Sequence, residues 1–153
     1  RYCTTADGDH ISGPPQGFKL LARSRHVVTE AARVEDSVED IESNRGRRFG
    51  YLINESFTSC RDNYEISHPA INDLVAIAIE AGSVGSRLTG AGFGGCTVNL
   101  VPDEKLEEFL DEVETRYFED ALKSYPDAYL RYMEKIAPAL LTLKPSGGAQ
   151  VLF

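Results

Sequence analysis

GSRLTGAGFGGCTVNLVP, residues 85–102, places five glycines in eleven positions and then continues into an apolar, β-branched segment. Three of the glycines form the pattern G-x-G-x-x-G, which in dinucleotide-binding folds follows a strand and opens a helix. Here the order is reversed, because a helical pattern ends at Gly82 and the residues from Cys96 to Val101 have the character of a strand. The order of elements therefore excludes a dinucleotide fold. The P-loop is excluded as well, because no Gly-Lys-Ser/Thr sequence follows the glycines.

The chemistry of this stretch still favours a phosphate ligand. Consecutive glycines permit positive φ angles and carry no Cβ atom, so several main-chain N–H groups can converge on one anion. Ser86 and Thr89 add hydroxyl donors, and Arg87 adds a fixed positive charge. The residues alone also allow a glycine-rich hairpin turn or a close contact between a helix and a sheet. Both interpretations remain open at this point.

Composition excludes several classes of protein. The chain has 153 residues, of which 42% are hydrophobic, and 16 basic against 24 acidic residues give a net charge of −8. This charge is unfavourable for binding nucleic acid or an anionic membrane, and no apolar run approaches the roughly 20 residues that span a bilayer. Three widely spaced cysteines, Cys3, Cys60 and Cys96, predict neither a disulfide framework nor a metal site. We therefore expect a cytoplasmic protein.

Apolar residues at spacings of three and four predict several helices. The predicted helices run from Phe18 to about Ser43, from Arg47 to Ser59, from Pro69 to Gly82 and from Pro102 onward, with a further helical region over 120–135 that breaks at Tyr125 and Pro126. The first helix carries an apolar stripe opposite its charged residues, formed by Leu20, Val27, Ala31, Val34, Val38 and Ile41. The acidic run over 35–42 is typical of a solvated helix face.

Strands are predicted at Ser86–Thr89, Cys96–Val101, Leu140–Leu143 and Ala149–Phe153. The predicted fold class is α+β, with a small, mostly antiparallel sheet packed by helices. Residues 1–17 are predicted to be a lead or linker segment, and residues 18–153 a single domain.

Other residues offer weaker candidates for chemistry. His26 is expected to be a packing residue, and His68 a residue at a helix start that Ser67 caps. Asp62 and Glu65 could form an acid/base pair, although solvated charges beside a turn explain them as well. Cys96 is expected to be a buried small residue. Phe93 is expected to pack the glycine stretch against the domain.

Three ordered segments resemble a known family. Residues 85–102 closely resemble the third conserved motif of the GHMP small-molecule kinases, in its galactokinase version. FKLLARSRHVVTEAARV, residues 18–34, resembles a galactokinase helix with the pattern that Arg23, His26, Val27, Glu30, Arg33 and Val34 form here. LINESFTSCRDNYEISHPAINDLV, residues 52–75, is similar to another galactokinase segment, and KPSGGAQVL, residues 144–152, to the last strand. Departures from the pattern are His68 in place of Cys, Ala70 in place of Glu and Asn72 in place of Asp.

The resemblance implies a fold, a reaction and a set of ligands. The fold is the ferredoxin-like C-terminal domain of a GHMP kinase. The reaction is the transfer of the γ-phosphoryl group of ATP, accompanied by Mg²⁺, to the anomeric hydroxyl of galactose. The loop that would close over the ATP phosphates consists of Gly90, Ala91, Gly92, Phe93, Gly94 and Gly95, and the possible cleft residues are Ser86, Arg87 and Thr89.

The resemblance implies no catalytic residue in this chain, because the family's other phosphate loop and its catalytic aspartate segment have no counterpart here. We expect the chain to pair with an amino-terminal kinase domain of the same protein and to be inactive alone. Three alternatives remain open: a non-catalytic galactose and ATP sensor that acts in transcriptional regulation, a kinase for N-acetylgalactosamine or another hexose, and a standalone binding module.

Overall fold

The computed structural model of the chain describes residues 3–4, 6–8, 10–11, 13–134 and 139–144. Its helices are α1 (Leu20–Glu42), α2 (Gly46–Ser59), α3 (Pro69–Glu80), α4 (Leu106–Val113) and α5 (Pro126–Met133). The strands are β1 (Cys3–Thr4), β2 (His10–Ile11), β3 (Gly85–Thr89) and β4 (Cys96–Leu100), which form two antiparallel pairs, β1 with β2 and β3 with β4. Single π-helical turns follow α2 at Cys60–Tyr64 and α4 at Glu114–Phe118, and short 3₁₀ turns cover Asp103–Lys105 and Ala121–Ser124.

The close approach of α2 to β3 organises the centre of the domain. A Cβ atom added at Gly50 would lie 2.4 Å from the carbonyl oxygen of Val84, and one added at Gly85 would lie 2.7 Å from the Cα atom of Gly50. The Asn54 side chain donates to the Val84 carbonyl at 3.2 Å and accepts from the Ser86 amide at 2.8 Å. Asn54 therefore satisfies the pair of main-chain groups that a neighbouring strand would otherwise satisfy.

Helix α3 lies between two apolar clusters and joins them. Ile71 and Val75 pack with Phe57, Cys60 and Leu88, which brings α2, α3 and β3 together. The adjoining part of the same face of α3 forms a second cluster with the carboxyl-terminal helical region, whose buried members are Leu74, Ala78, Phe109, Val113, Tyr117 and Leu122. The spacing of three and four that predicts the helices is therefore confirmed for α2, α3 and α4 by the side chains that they bury. The predicted α+β class is also confirmed.

The face of α1 that lies against the domain is the main difference between the structure and the sequence-based expectation. Its apolar stripe is exposed, with 64% of Val27 and 63% of Val34 accessible to solvent. The polar side of α1 instead faces the domain, where Ser56 donates to Glu30 at 2.7 Å and Arg45 lies 2.9 Å from the carboxylate of Asp40. An apolar stripe shows that a helix is amphipathic but does not specify which neighbour covers the stripe. The sequence therefore predicts the helix correctly, but not which of its faces lies against the domain.

Two smaller expectations also differ from the structure. Asp40, placed on a solvated face by the acidic run, is fully buried and lies beside Arg45 and Arg48. The segment 140–143 is not a strand, because it makes no ladder within the part of the chain that the structure describes. The strand predicted at 149–153 lies outside the described residues. Among the described residues, no helix has the length and the hydropathy that a bilayer crossing demands.

The contact between α2 and β3 predicts the effect of one methyl group. Gly50→Ala should lower the free energy of unfolding by about 1–3 kcal/mol, the usual cost of overpacking, because the new methyl group meets main-chain atoms. Gly46→Ala, in the same helix, is the control, since a Cβ atom there meets nothing within 4 Å. Thermal unfolding followed by circular dichroism measures both. Equal stability of the two variants would contradict the close contact.

Candidate functional site

The glycine stretch forms a loop of unusual main-chain conformation between β3 and β4. The φ angles of Gly90, Gly92, Gly94 and Gly95 are 84°, 85°, 132° and 88°, and that of Phe93 is 59°. Such angles are favourable for glycine and costly for a residue with a Cβ atom. The conformation therefore accounts for the glycines at these positions, and it also shows that Phe93 is held in a left-handed conformation by its surroundings.

Contacts with Ile66 fix the position of this loop. The Phe93 amide donates a hydrogen bond of 2.6 Å to the Ile66 carbonyl oxygen. A Cβ atom added at Gly92 would lie 2.5 Å from that same oxygen, so a side chain at this position is excluded by space as well as by φ. The Phe93 side chain is 71% exposed and does not pack the loop against the domain, contrary to the sequence-based interpretation. Its main chain provides the anchor instead.

The remaining amides of the loop are available to a ligand. Within the part of the chain that the structure describes, the main-chain N–H groups of Gly90, Ala91, Gly92, Gly94 and Gly95 have no protein acceptor. Gly90, Ala91 and Gly95 are exposed, and Gly92 and Gly94 are half-buried. Unpaired main-chain amides in turns of this kind are donors that an anion can accept from. The positive φ angles and the anchor at Ile66 define the conformation in which the loop presents them.

The predicted cleft residues lie in three different environments. Ser86 is completely buried, and its hydroxyl donates to Asn99 at 2.6 Å, so its donor is already used inside the domain. Thr89 is exposed at the base of the loop, where it pairs with Cys96 in the ladder. Arg87 is about one-third exposed, and its guanidinium donates to the Leu88 carbonyl at 3.1 Å. Only Thr89 of these three therefore presents an exposed side chain next to the loop.

Arg87 belongs to a polar cluster between α1, α2 and β3. Its guanidinium lies 3.9 Å from the carboxylate of Glu30, which also accepts from Arg33 at 2.6 Å and from Ser56 at 2.7 Å. Partial desolvation opposes the ionisation of Glu30, but the hydrogen bonds from Ser56 and Arg33 and the two guanidinium charges outweigh it and lower its pKa. Glu30 is therefore ionised at neutral pH and holds Arg87 toward α1.

The weaker candidates are explained by structural roles. His26 stacks on Tyr64 with ring centroids 4.5 Å apart, and its Nδ1 lies 3.0 Å from the Ser59 hydroxyl, as a packing residue would. Asp62 pairs with Arg61, and the hydrogen bonds from Arg61 lower the pKa of this carboxyl. Glu65 pairs instead with Arg23 and Lys19. The two carboxylates therefore have separate partners, which does not favour a joint role as acid and base.

Helix α3 begins with a cap that the sequence assigned to the wrong residue. The Nδ1 atom of His68 accepts from the Ala70 amide at 3.2 Å, whereas Ser67 donates to the Asn72 side chain. Three positions depart from the galactokinase pattern: His68, Ala70 and Asn72. Two of them, His68 and Asn72, make side-chain contacts at the start of this helix.

Cys96 is exposed, so the expectation of a buried small residue is wrong, whereas Cys60 is buried. No group of three potential metal ligands occurs among the described residues.

Comparison with known proteins assigns the family. Residues 37–120, more than half of the chain, match the family described as GHMP kinases C terminal. The match contains α2, α3, β3, the glycine loop and β4. The chain belongs to the GHMP kinase family. The glycine loop lies within the matched residues.

Curated relatives of this GHMP kinase chain include galactokinases. The chain is 42% identical over 112 residues to the galactokinase of Clostridium acetobutylicum, covering 72% of this chain and 28% of that protein. It is 34% identical over 154 residues to the galactokinase of Saccharomyces cerevisiae, covering 92% of this chain and again 28% of the relative. The chain thus spans less than one-third of the length of the curated relatives that it matches.

Two solved structures are similar in fold. The crystal structure of Lactococcus lactis galactokinase complexed with galactose matches with a TM-score of 0.62 and 35% identity, covering 67% of this chain and 27% of that one. The L. major mevalonate kinase in complex with R-mevalonate matches with a TM-score of 0.57 at 19% identity, covering 61% of this chain and 29% of that one, and supports the fold alone.

The contact between Gly92 and Ile66 predicts different effects for two glycines of similar φ. Gly92→Ala should destabilise the domain by about 1–3 kcal/mol more than Gly90→Ala, because only the former methyl group meets Ile66. Both variants carry the left-handed penalty, so the difference isolates the contact. Thermal unfolding gives the energies, and the amide chemical shifts of Ile66 and Phe93 report displacement of the loop. An equal loss in both variants would contradict this role of Ile66.

Proposed function

We propose that this chain forms the carboxyl-terminal domain of an ATP-dependent galactose kinase, which converts galactose and ATP into galactose 1-phosphate and ADP. The observation that carries the proposal is the loop over 90–95, whose amides, except that of Phe93, have no protein acceptor among the described residues and whose glycines take positive φ angles, features that suit a main-chain anion site. Membership of the GHMP kinase family supports ATP as the source of the anion, and the galactokinase relatives support galactose as the acceptor.

In this proposal the loop acts by position and electrostatics. Phosphoryl transfer demands little covalent chemistry from a protein, and fixed amide dipoles directed at the phosphate oxygens stabilise the charge that develops on them. The amides of Gly94 and Gly95 are the main candidates, together with those of Gly90, Ala91 and Gly92. Thr89 is a candidate hydroxyl donor at the edge of the loop. Mg²⁺ would come with the nucleotide, and no ligand for it is assigned in this chain.

The catalytic aspartate and most sugar contacts would come from a preceding domain. The curated relatives are more than three times longer than the matched region, and the matched family is the carboxyl-terminal one. The exposed stripe of α1 is the surface that we propose this preceding domain covers, since it follows directly from the lead segment and exposes several large apolar side chains. This paired protein would be a cytoplasmic enzyme of galactose metabolism.

The reaction is tested by measuring ADP release from the full-length protein and from this chain alone. We expect the full-length protein to release ADP when galactose is added, and the isolated chain to show negligible release with the same sugar and ATP. Turnover by the isolated chain at a rate typical of kinases, about 1–100 s⁻¹, would refute the two-domain assignment. Release with N-acetylgalactosamine and not galactose would change the substrate, and sugar binding without release would indicate a sensor.

The covered surface is tested by Val34→Lys. In the isolated chain this exposed residue should tolerate the change within about 0.5 kcal/mol, as surface substitutions generally do. In the full-length protein the same change should lower the melting temperature by several degrees, because a charge would be buried without a partner. Glu35→Lys, at the neighbouring exposed position, serves as the control and should be neutral in both. Insensitivity of the full-length protein to Val34→Lys would place the preceding domain elsewhere.

A further inference from the structure

The glycine loop depends on a short irregular segment of the chain. Residues 59–66, which we call the support segment, contain the π-helical turn Cys60–Tyr64, a left-handed Glu65 with φ of 62°, and Ile66. The amides of Glu65 and Ile66 both donate to the carbonyl of Cys60, which closes the turn. The Ile66 carbonyl then accepts from Phe93. Displacement of the support segment would therefore displace the loop.

Helix α1 holds the support segment by its first turns. Arg23 donates to the Asn63 carbonyl and lies 2.7 Å from the Glu65 carboxylate, and Lys19 also donates to Glu65. The guanidinium carbon of Arg23 lies 5.8 Å from the centre of the Tyr64 ring. One side chain thus contacts three consecutive residues immediately before Ile66.

His26 also contacts the Tyr64 ring. It stacks on Tyr64 at 4.5 Å and reaches the Ser59 hydroxyl at 3.0 Å, and Asn63 lies 3.4 Å from that hydroxyl. Arg23 and His26 belong to the α1 pattern shared with galactokinases, and neither contacts the glycine loop itself. Their contacts instead converge on the support segment.

We propose that Arg23 is a positioning residue for the phosphate loop, acting through Asn63, Glu65 and the Ile66 carbonyl. The inference rests on the proposed function for its consequence in ATP binding, but its structural part stands alone. Arg23 and Glu65 are both more than one-third exposed, so their ion pair contributes little to global stability. The effect of Arg23 is therefore local. It restricts the opening of the support segment and keeps the loop amides in a fixed arrangement.

The test is amide hydrogen exchange of Phe93 in Arg23→Met, a variant that keeps the aliphatic stem and removes the guanidinium. We expect exchange of the Phe93 amide to accelerate about tenfold, which corresponds to about 1.4 kcal/mol of local opening, while core amides such as that of Ala78 remain unchanged. Arg25→Met is the matched control, because Arg25 is exposed on the same helix and makes no ion pair with the described residues. Its Phe93 exchange should equal that of the original chain.

Further variants separate the possible outcomes. Glu65→Gln should accelerate Phe93 exchange as Arg23→Met does, and Asp62→Asn, which removes the carboxylate paired with Arg61, should not. Arg23→Lys should restore part of the protection, since an ammonium can pair with Glu65 but cannot fork to the Asn63 carbonyl as well. Unchanged Phe93 exchange in Arg23→Met overturns the proposal. Acceleration of all core amides together would also overturn it, since Arg23 would then be a residue of general stability.

A kinetic measurement distinguishes this inference from the proposed function. In the full-length protein, Arg23→Met should raise KM for ATP about tenfold and leave KM for the sugar unchanged. If the exchange result holds but the full-length protein shows no sugar-dependent ADP release, the proposed function fails and the positioning of the loop remains. If ADP release is normal and KM for ATP is unchanged despite faster exchange, the role of Arg23 in ATP binding is overturned.

Discussion

The absence of side chains where α2 meets β3 is the constraint on which the rest of the domain depends. Gly50 and Gly85 let the two main chains approach so closely that Asn54 can bond to the main-chain groups on either side of Gly85. This approach fixes the direction of α2. The carboxyl-terminal turn of α2 therefore lies on the side of the domain where the glycine loop follows β3. The position of the loop therefore depends in part on a helix–strand contact that lies outside the loop.

Helix α1 has an unusual division of roles between its two sides. Its charged and polar side chains form specific contacts with α2, β3 and the support segment, whereas its apolar stripe is left exposed. A polar interior face gives directional contacts, each dependent on geometry, while an apolar exterior face gives a broad surface for association. The same helix can thus fix the loop within the domain and offer a surface to the rest of a longer protein.

Much of the fold is predictable from local pattern, and the missing parts have identifiable causes. The spacing of Ile71, Leu74, Val75 and Ala78 predicts α3 correctly because this one face is buried by elements of the same domain. The inner face of α1 is not predictable in this way, because an apolar stripe does not specify which neighbour covers it. The loop was predictable from its glycines, but its anchor was not, since a bond between the main chains of Ile66 and Phe93 leaves no side-chain signal in the sequence.

The π-helical turn at Cys60–Tyr64 has a consequence for how this region can change during evolution. A π-turn is an α-helical turn with one inserted residue, and removal of one residue would return the chain to α-helical register. The chain between α2 and Ile66 would then be one residue shorter, which would disturb the present contacts of Tyr64 and Glu65 with α1. Insertions and deletions of a single residue, more than substitutions, are therefore the mutations that can move the glycine loop relative to the rest of the domain during evolution.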